Sequence, residues 1–143
     1  ATMKILVSAC LLGENCKYSS GNNYNQAVCD FVQGHQVIPV CPEVLGGLPT
    51  PRCPAEIVQG VVTNKEGVNV DREFRAGAAK ALAIAKENGV KLAILQSRSP
   101  SCGVKEIYDG TFSGTKIPGQ GVFAKMLMDE GIRVLDAGEL SEK

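Results

Sequence analysis

The sequence lacks several features that define whole classes of protein. No apolar run approaches the ~20 residues that cross a membrane, and the N-terminus does not show the charged, apolar and small-residue order of a signal peptide. The 15 Lys and Arg residues equal the 15 Asp and Glu residues in number, so net charge gives no argument for nucleic acid or an anionic membrane as an obligate partner. We therefore expect a cytoplasmic protein.

Common metal and nucleotide motifs are also missing. The chain has no C-x-x-C pair and a single histidine, His35, although structural zinc sites usually take four Cys or His ligands in close pairs. Neither a dinucleotide-binding glycine pattern nor a P-loop occurs. These absences leave no simple zinc, dithiol or nucleotide assignment.

Length and cysteine content point in a different direction. At 143 residues the chain falls in the single-domain range, and we expect residues 1–143 to form one domain, with Ala1 and Thr2 interpreted as an expression scar or an extended start. The chain has six cysteines. In a reducing compartment, thiols bind metals or react more often than they form disulfides, so the composition indicates thiol chemistry.

Strands and helices alternate along the sequence. The runs typical of buried strands are MKILVSAC, QVIPVC, VKLAILQ and IRVLD. The runs with helical spacing are YNQAVCDFVQG, DREFRAGAAKALAIAKENG and GVFAKMLMDEG. Pro39 in the second strand favours an edge position. This order predicts an α/β protein: a single-domain, Rossmann-like three-layer fold with a mostly parallel sheet.

Three further local predictions concern the middle of the chain. Prolines and paired glycines in PEVLGGLPTPRCP predict a rigid loop without regular structure. The next segment, EIVQGVVTNKEGVNV, predicts either a small hairpin around its Asn-Lys-Glu-Gly turn or an extended excursion. Asp71 is expected to cap the long helix that follows it.

Three of the cysteines follow predicted strands. Cys10 and Cys41 end the first and second strands, and Cys102 lies in the loop that leaves the third. Because the carboxyl ends of parallel strands meet at one edge of a sheet, where ligands bind, we expect these three thiols to converge. Cys29 falls on the apolar face of a predicted helix and is interpreted as a core residue.

Several kinds of thiol site remain open at this point. An iron-sulfur cluster with three cysteine ligands fits widely spaced thiolates best, and its remaining iron would act as a Lewis acid. The alternatives are a zinc-binding structural module and a sulfur-carrier or persulfide-handling protein that uses a single reactive cysteine.

Polar side chains accompany the thiols. Glu43 stands two residues after Cys41, while Ser99 and Ser101 lie close to Cys102. A carboxylate shielded from water is suited to general acid or base catalysis. The competing structural interpretation is a helix or turn cap for Glu43 and turn hydrogen bonds for the serines.

Three motifs, VSACLLGENCKY, CPEVLGGLPTPR and SRSPSCG followed by IYDGTF, resemble the thiouracil desulfidase family, also known as domain of unknown function 523. The resemblance runs from about residue 3 to residue 136. It implies an enzyme that depends on a [4Fe-4S] cluster and converts 2-thiouracil, or a related thiolated pyrimidine, to uracil with release of sulfide and no net redox change.

The resemblance also implies roles for individual residues. The cluster would have three cysteine ligands, Cys10, Cys41 and Cys102, and one open iron. Glu43 and Ser99 would handle protons, with Ser101 as the reserve for the serine role. Cys53 stands where the family pattern would have a residue without a thiol, so Cys53 and Cys16 remain open as further cluster contacts.

The partners expected from the sequence are small. A neutral chain favours a free thiolated base or nucleoside over thiolated tRNA, although Lys91, Arg98, Lys105 and Lys116 would form a basic face if they were brought together. No membrane partner is expected. A cluster enzyme also implies contact with the cluster assembly machinery.

Overall fold

The computed structural model describes residues 3–14, 24–48, 53–96 and 100–141. Within these ranges the strands are β1 (Lys4–Ser8), β2 (Gln36–Val40), β3 (Ala55–Val58), β4 (Val61–Asn64), β5 (Leu92–Leu95), β6 (Glu106–Tyr108), β7 (Lys116–Pro118) and β8 (Arg133–Asp136). The helices are α1 (Gln26–Val32), α2 (Pro42–Leu45), α3 (Asp71–Glu87), α4 (Val122–Asp129) and α5 (Ala137–Ser141), with a 3-10 helix at Ala9–Leu12. None of the helices in the described ranges is long and apolar enough to cross a membrane.

Four strands form the central sheet, in the order β2, β1, β5, β8, and every neighbouring pair is parallel. The prediction of a mostly parallel α/β sheet is confirmed. The two central strands are almost wholly buried, as expected where helices cover both faces of a parallel sheet. β2 lies at an edge, and Pro39 is exposed there, which is the position predicted for a proline-containing strand.

Alternate side chains of β1 divide the core between the two faces of the sheet. Ile5 and Val7 pack in the same cluster as Val28 of α1. Leu6 belongs to a second, larger cluster that includes Phe74 of α3 and Phe123 of α4. Because successive side chains of a strand point to opposite faces, this division places α1 on one side of the sheet and α3 and α4 on the other. The result is the predicted three-layer arrangement.

The order of the strands places a topological switch point between β1 and β5. From β1 the chain crosses through α1 to β2 on one side, whereas from β5 it crosses through α4 to β8 on the other side. The two connections therefore diverge from neighbouring strands. In open parallel sheets, ligands bind at such a point, beyond the carboxyl ends of the strands.

The prediction that the proline-rich segment has no regular structure is wrong at its start, because Pro42–Leu45 forms the short helix α2. Pro42 occupies the first turn. The first turn of a helix needs no backbone N–H from that position and suits the fixed φ of proline. Proline therefore begins this helix rather than preventing it.

The predicted hairpin exists, but its turn is different. β3 and β4 are antiparallel and are joined by Gln59 and Gly60, both with positive φ (50° and 83°), as in the two-residue turns that suit twisted strands. The Asn-Lys-Glu-Gly segment forms the following turn, where the Asn64 side chain accepts hydrogen bonds from the backbone N–H groups of Glu66 and Val68.

The start of the long helix also differs from the prediction. Val70 is the capping residue of α3, and Asp71 is its first helical residue. The Asp71 carboxylate instead accepts hydrogen bonds from the backbone N–H of Val62 and from Arg75. Asp71 therefore ties the β3–β4 hairpin to the helix.

A second hairpin and the last helix were not predicted. β6 and β7 pair antiparallel over three residues each, and α5 follows β8 directly. The buried Glu56 carboxylate on β3 accepts hydrogen bonds from the backbone N–H groups of Gly110 and Phe112, in the loop between β6 and β7. A contact between residues so distant in the chain cannot be deduced from local sequence pattern.

Candidate active site

The first two predicted thiols lie just beyond the carboxyl ends of their strands. Cys41 directly follows β2 and is the capping residue of α2. Cys10 lies two residues beyond the end of β1, within the 3-10 helix, so the prediction that it ends the strand is wrong by this short distance. Both positions are at the carboxyl edge of the sheet.

Close backbone packing holds α2 in place. A Cβ atom added to Gly77 of α3 would lie 1.8 Å from the carbonyl oxygen of Pro42, and one added to Gly46 would lie 2.0 Å from the carbonyl oxygen of Glu73. Lys80 donates a hydrogen bond to the carbonyl of Leu45 at 3.1 Å. Because glycine allows backbones to approach this closely, α2 and the Cys41 and Glu43 side chains at its start are positioned by α3.

The segment that carries Cys102 is held by the first turn of α4. The backbone N–H groups of Val122 and Phe123 donate to the carbonyls of Pro100 and Ser101 at 2.8 and 2.9 Å. Gly121 donates to Gly103 at 2.8 Å. These N–H groups have no partner within the helix, so they are available to fix the loop. Cys102, which stands between Pro100 and Gly103 in the sequence, is therefore held in a fixed position.

The thiols converge around Cys102, which is 5% exposed. The pKa of the Cys102 thiol is raised to about 12, chiefly by burial and in part by the nearby charges of Glu43, Cys10 and Cys41, while a hydrogen bond from Ser8 acts to lower it. Such charge interactions act between groups that are close in space. The fold thus brings together the three thiols and the carboxylate that the sequence singled out.

Sequence reasoning missed Ser8. This residue ends β1, is 3% exposed, and its Oγ accepts a hydrogen bond from the backbone N–H of Gln96 at 3.1 Å. Its side chain is also hydrogen-bonded to Cys102. The sequence contained one signal for this role: Ser8 is a polar residue at the end of an otherwise apolar strand, and that strand leads into the site.

The remaining predicted residues divide into three groups. Ser101 is described and completely buried. Cys53 is described and half-buried. The residues that fall outside the described ranges are Cys16, Arg98 and Ser99.

The core position predicted for Cys29 is wrong. Cys29 is only half-buried, because the face of α1 that packs on the sheet is formed by Val28 and Val32. The Cys29 side chain is hydrogen-bonded to Tyr24, which is 54% exposed. This cysteine therefore lies on a partly exposed side of α1, beside Tyr24.

Among the side chains of the described ranges, no group of three or more His, Cys, Asp or Glu residues is arranged to hold a metal ion. Thiolates that share one zinc ion, each at about 2.3 Å, lie only about 3.8 Å from one another. Cysteines bound to different irons of a cluster share no metal atom, so their sulfurs lie farther apart.

The fold and the site together define an α/β protein with interacting thiols at the carboxyl ends of a parallel sheet. Comparison with known proteins makes this more specific. The family model described as 2-thiouracil desulfurase matches residues 5–139, and the chain belongs to this family. The resemblance noted in the sequence motifs is thereby confirmed.

Two similar proteins support the assignment over the whole chain. A solved structure described as a [4Fe-4S]-dependent thiouracil desulfidase, TudS, superimposes with a TM-score of 0.90 at 39% identity and covers 99% of this chain and 95% of its own. The uncharacterized protein YbbK of Bacillus subtilis (strain 168) is 41% identical over an alignment of 148 positions, which covers 96% of this chain and 98% of YbbK.

Proposed function

We propose that this chain is a [4Fe-4S]-dependent desulfidase that converts 2-thiouracil, or a related thiolated pyrimidine, to uracil and releases sulfide. Membership of the 2-thiouracil desulfurase family and the match to a [4Fe-4S]-dependent thiouracil desulfidase support this function. The observation that carries it is the buried Cys102 thiol, which interacts with Cys10, Cys41 and Glu43.

The cluster ligands in this proposal are Cys10, Cys41 and Cys102. Thiolates are the natural ligands of iron-sulfur clusters, and three of them leave one iron of the cube without a protein ligand. The donor set fits the cluster in its chemistry, because all three side chains are thiols and Cys102 interacts with the other two. Cys10 and Cys102 are buried and Cys41 is half-buried, which shields the ligands from water.

The overall reaction replaces the C=S bond of the pyrimidine with C=O. Water supplies the oxygen and two hydrogens, and sulfur leaves as hydrogen sulfide, so nothing is oxidised or reduced. When bound, the cluster supplies an iron with an open position, a Lewis acid that draws electron density away from a sulfur ligand. The protein must then place water and move protons beside this iron.

Glu43 is the residue proposed to move protons. It lies in the first turn of α2, is half-exposed, and its charge acts on the Cys102 thiol. A carboxylate here accepts a proton from the attacking water and returns it as the sulfur departs, which is general base and then general acid catalysis. Because Cys41, a proposed ligand, stands two residues earlier, Glu43 would lie close to a bound cluster.

The serine role is assigned to Ser99, with Ser101 as the reserve. The Ser101 side chain is completely buried, and its carbonyl accepts hydrogen bonds from the first turn of α4. A hydroxyl without exposed surface cannot meet a substrate from solvent in this conformation. The burial of Ser101 therefore supports Ser99 as the residue that contacts the substrate.

Two other functions agree less well with the geometry. A sulfur carrier needs one cysteine with a depressed pKa, because the thiolate is the nucleophile; Cys102, whose pKa is raised to about 12, does not suit that role. A structural zinc module usually takes four Cys or His ligands in close pairs, and the sequence has no C-x-x-C pair and one histidine. Metal binding, by contrast, deprotonates a coordinating thiol despite a high pKa.

A small substrate suits the distribution of positive charge. Lys91 lies at the amino end of β5, whereas Lys105 follows Cys102 at the opposite edge of the sheet and pairs with Glu139 at 3.2 Å. These lysines do not form one basic face beside the site. This favours a free thiolated base or nucleoside over thiolated tRNA. The proposal also includes one domain over residues 1–143, a cytoplasmic location and dependence on the cluster assembly machinery.

The test is anaerobic reconstitution with iron and sulfide, removal of excess reagents, and incubation with 2-thiouracil. We expect the broad visible absorbance of thiolate-to-iron charge transfer and the appearance of uracil and sulfide in equal amounts. Protein treated in the same way without iron is the control, and it should release no sulfide. Cluster absorbance without uracil formation would contradict the proposed reaction.

A further inference from the structure

Ser8 occupies a special position relative to the Cys102 ligand. It ends β1, is 3% exposed, and faces the beginning of the segment that leaves β5. Its Oγ accepts a hydrogen bond at 3.1 Å from the backbone N–H of Gln96, directly after β5. Its side chain also reaches Cys102. One side chain thus contacts both ends of the loop between residues 96 and 102.

The direction of the second hydrogen bond follows from the inventory of donors. A serine hydroxyl has one O–H donor and two acceptor lone pairs. One lone pair is used by the Gln96 N–H, and the O–H remains to be donated. Once Cys102 binds iron, its sulfur carries no proton, so it can only accept a hydrogen bond. Sulfur is therefore the acceptor.

We propose that Ser8 is a positioning residue for the cluster: its hydroxyl donates a hydrogen bond to the Cys102 sulfur, which orients this ligand and raises the reduction potential of the cluster. The inference rests on the proposed function, because it requires the cluster. Hydrogen bonds to ligand sulfurs are among the factors that set cluster potentials. A donor beside sulfur stabilises the more negative, reduced state.

The same bond should slow the loss of iron. Partners that orient metal ligands commonly change metal affinity by about 10–100-fold when they are removed. Ser8 fixes the Cys102 side chain from the strand side, while α4 fixes the backbone of the same segment from the helix side. Without the hydroxyl, only the backbone anchor remains.

Three substitutions separate the hydroxyl from the shape of the side chain. Ser8→Thr retains the hydroxyl, and Ser8→Val has nearly the same shape but carries a methyl group instead. Both residues suit a β-strand, so the added methyl group disturbs packing equally in the two variants. Ser8→Ala removes the oxygen without adding bulk and serves as the variant least prone to misfolding. The measurements are the reduction potential and the half-life of cluster absorbance with an iron chelator.

We expect Ser8→Thr to match the unsubstituted protein in both measurements. Ser8→Val and Ser8→Ala should have a more negative potential and should lose iron about 10-fold faster. A wild-type potential in Ser8→Ala, or equal shifts in Ser8→Thr and Ser8→Val, would overturn the role of the hydroxyl. If the unsubstituted protein assembles no cluster, the proposed function fails together with this inference. A cluster that is insensitive to Ser8 overturns the inference alone.

Discussion

The carboxyl edge of the sheet and the outer side of α1 both carry cysteine, but they surround it differently. Cys102 is 5% exposed, anchored by the first turn of α4 and influenced by Glu43, Cys10 and Cys41. Cys29 is half-buried and hydrogen-bonded to a tyrosine that is itself exposed. The comparison teaches that burial and a fixed backbone distinguish the thiols of the candidate site from an ordinary cysteine. Both come from the loops and helix ends that meet at the carboxyl ends of the parallel strands.

The largest expected difference is between removing these two thiols. Cys102→Ser, like Cys10→Ser and Cys41→Ser, should lose the cluster absorbance and lower desulfidase activity by at least about 100-fold, since changes one step outside the ligands already reach that size. Cys29→Ser should retain both. Iron content per protein and the rate of sulfide release measure the outcome. A fully active Cys10→Ser variant with an intact cluster would contradict the ligand set.

A substitution of Glu43 distinguishes binding of the cluster from catalysis. Glu43→Gln keeps the size of the side chain but cannot accept a proton, so we expect a normal cluster spectrum and a fall in kcat of about 10²–10⁴-fold. The matched control is Glu66→Gln, at an exposed turn far along the chain from the thiols. Unchanged kcat in Glu43→Gln would remove this residue from catalysis.

The anchor of Cys41 is tested at Gly77. Gly77→Ala places a Cβ atom 1.8 Å from the Pro42 carbonyl oxygen, so α2 must shift. We expect a destabilisation of about 1–3 kcal/mol in urea unfolding of the cluster-free protein, with reduced iron uptake. Ala76→Ser, on the exposed side of the same helix, is the control. Wild-type stability in Gly77→Ala would show that the contact of α2 with α3 is not tight.

The smallest expected effect is a pH dependence caused by burial of Cys102. Its pKa rises from 9.0 to about 12 in the folded protein, so the unfolded chain loses this proton first. The contribution to stability is complete below pH 9.0 and is lost as pH rises towards about 12. Between about pH 8 and about pH 10 this costs the cluster-free protein about 1 kcal/mol. Urea unfolding should show that Cys102→Ser reduces this dependence; identical pH profiles would contradict burial of the thiol.

Much of the layout was predictable because it depends on repeated local patterns. The continuous apolar runs of β1 and β5 indicated a buried parallel sheet, and Pro39 indicated an edge strand. The positions of Cys10, Cys41 and Cys102 after strands predicted their convergence, since parallel strands end at the same edge. The family resemblance then supplied the cluster and the substrate class.

The missed features depend on contacts between distant segments. The Ser8 hydroxyl gains its role only when β1 pairs with β5 and brings Gln96 beside it. The glycines of α2 and α3 have meaning only when the two helices touch. The sequence pattern placed Cys29 on the apolar face of a helix. In the structure, Val28 and Val32 are the buried residues of α1, and Cys29 is not. Such contacts depend on tertiary packing, which a local sequence pattern does not reveal.

The central claim is that three thiols at the carboxyl edge hold a cluster with one open iron. Mössbauer spectroscopy of protein reconstituted with isotopically enriched iron, before and after addition of 2-thiouracil, tests it most directly. The account predicts that one iron differs from the other three and that this iron alone changes when 2-thiouracil is added. Four equivalent irons that do not respond to 2-thiouracil would contradict it.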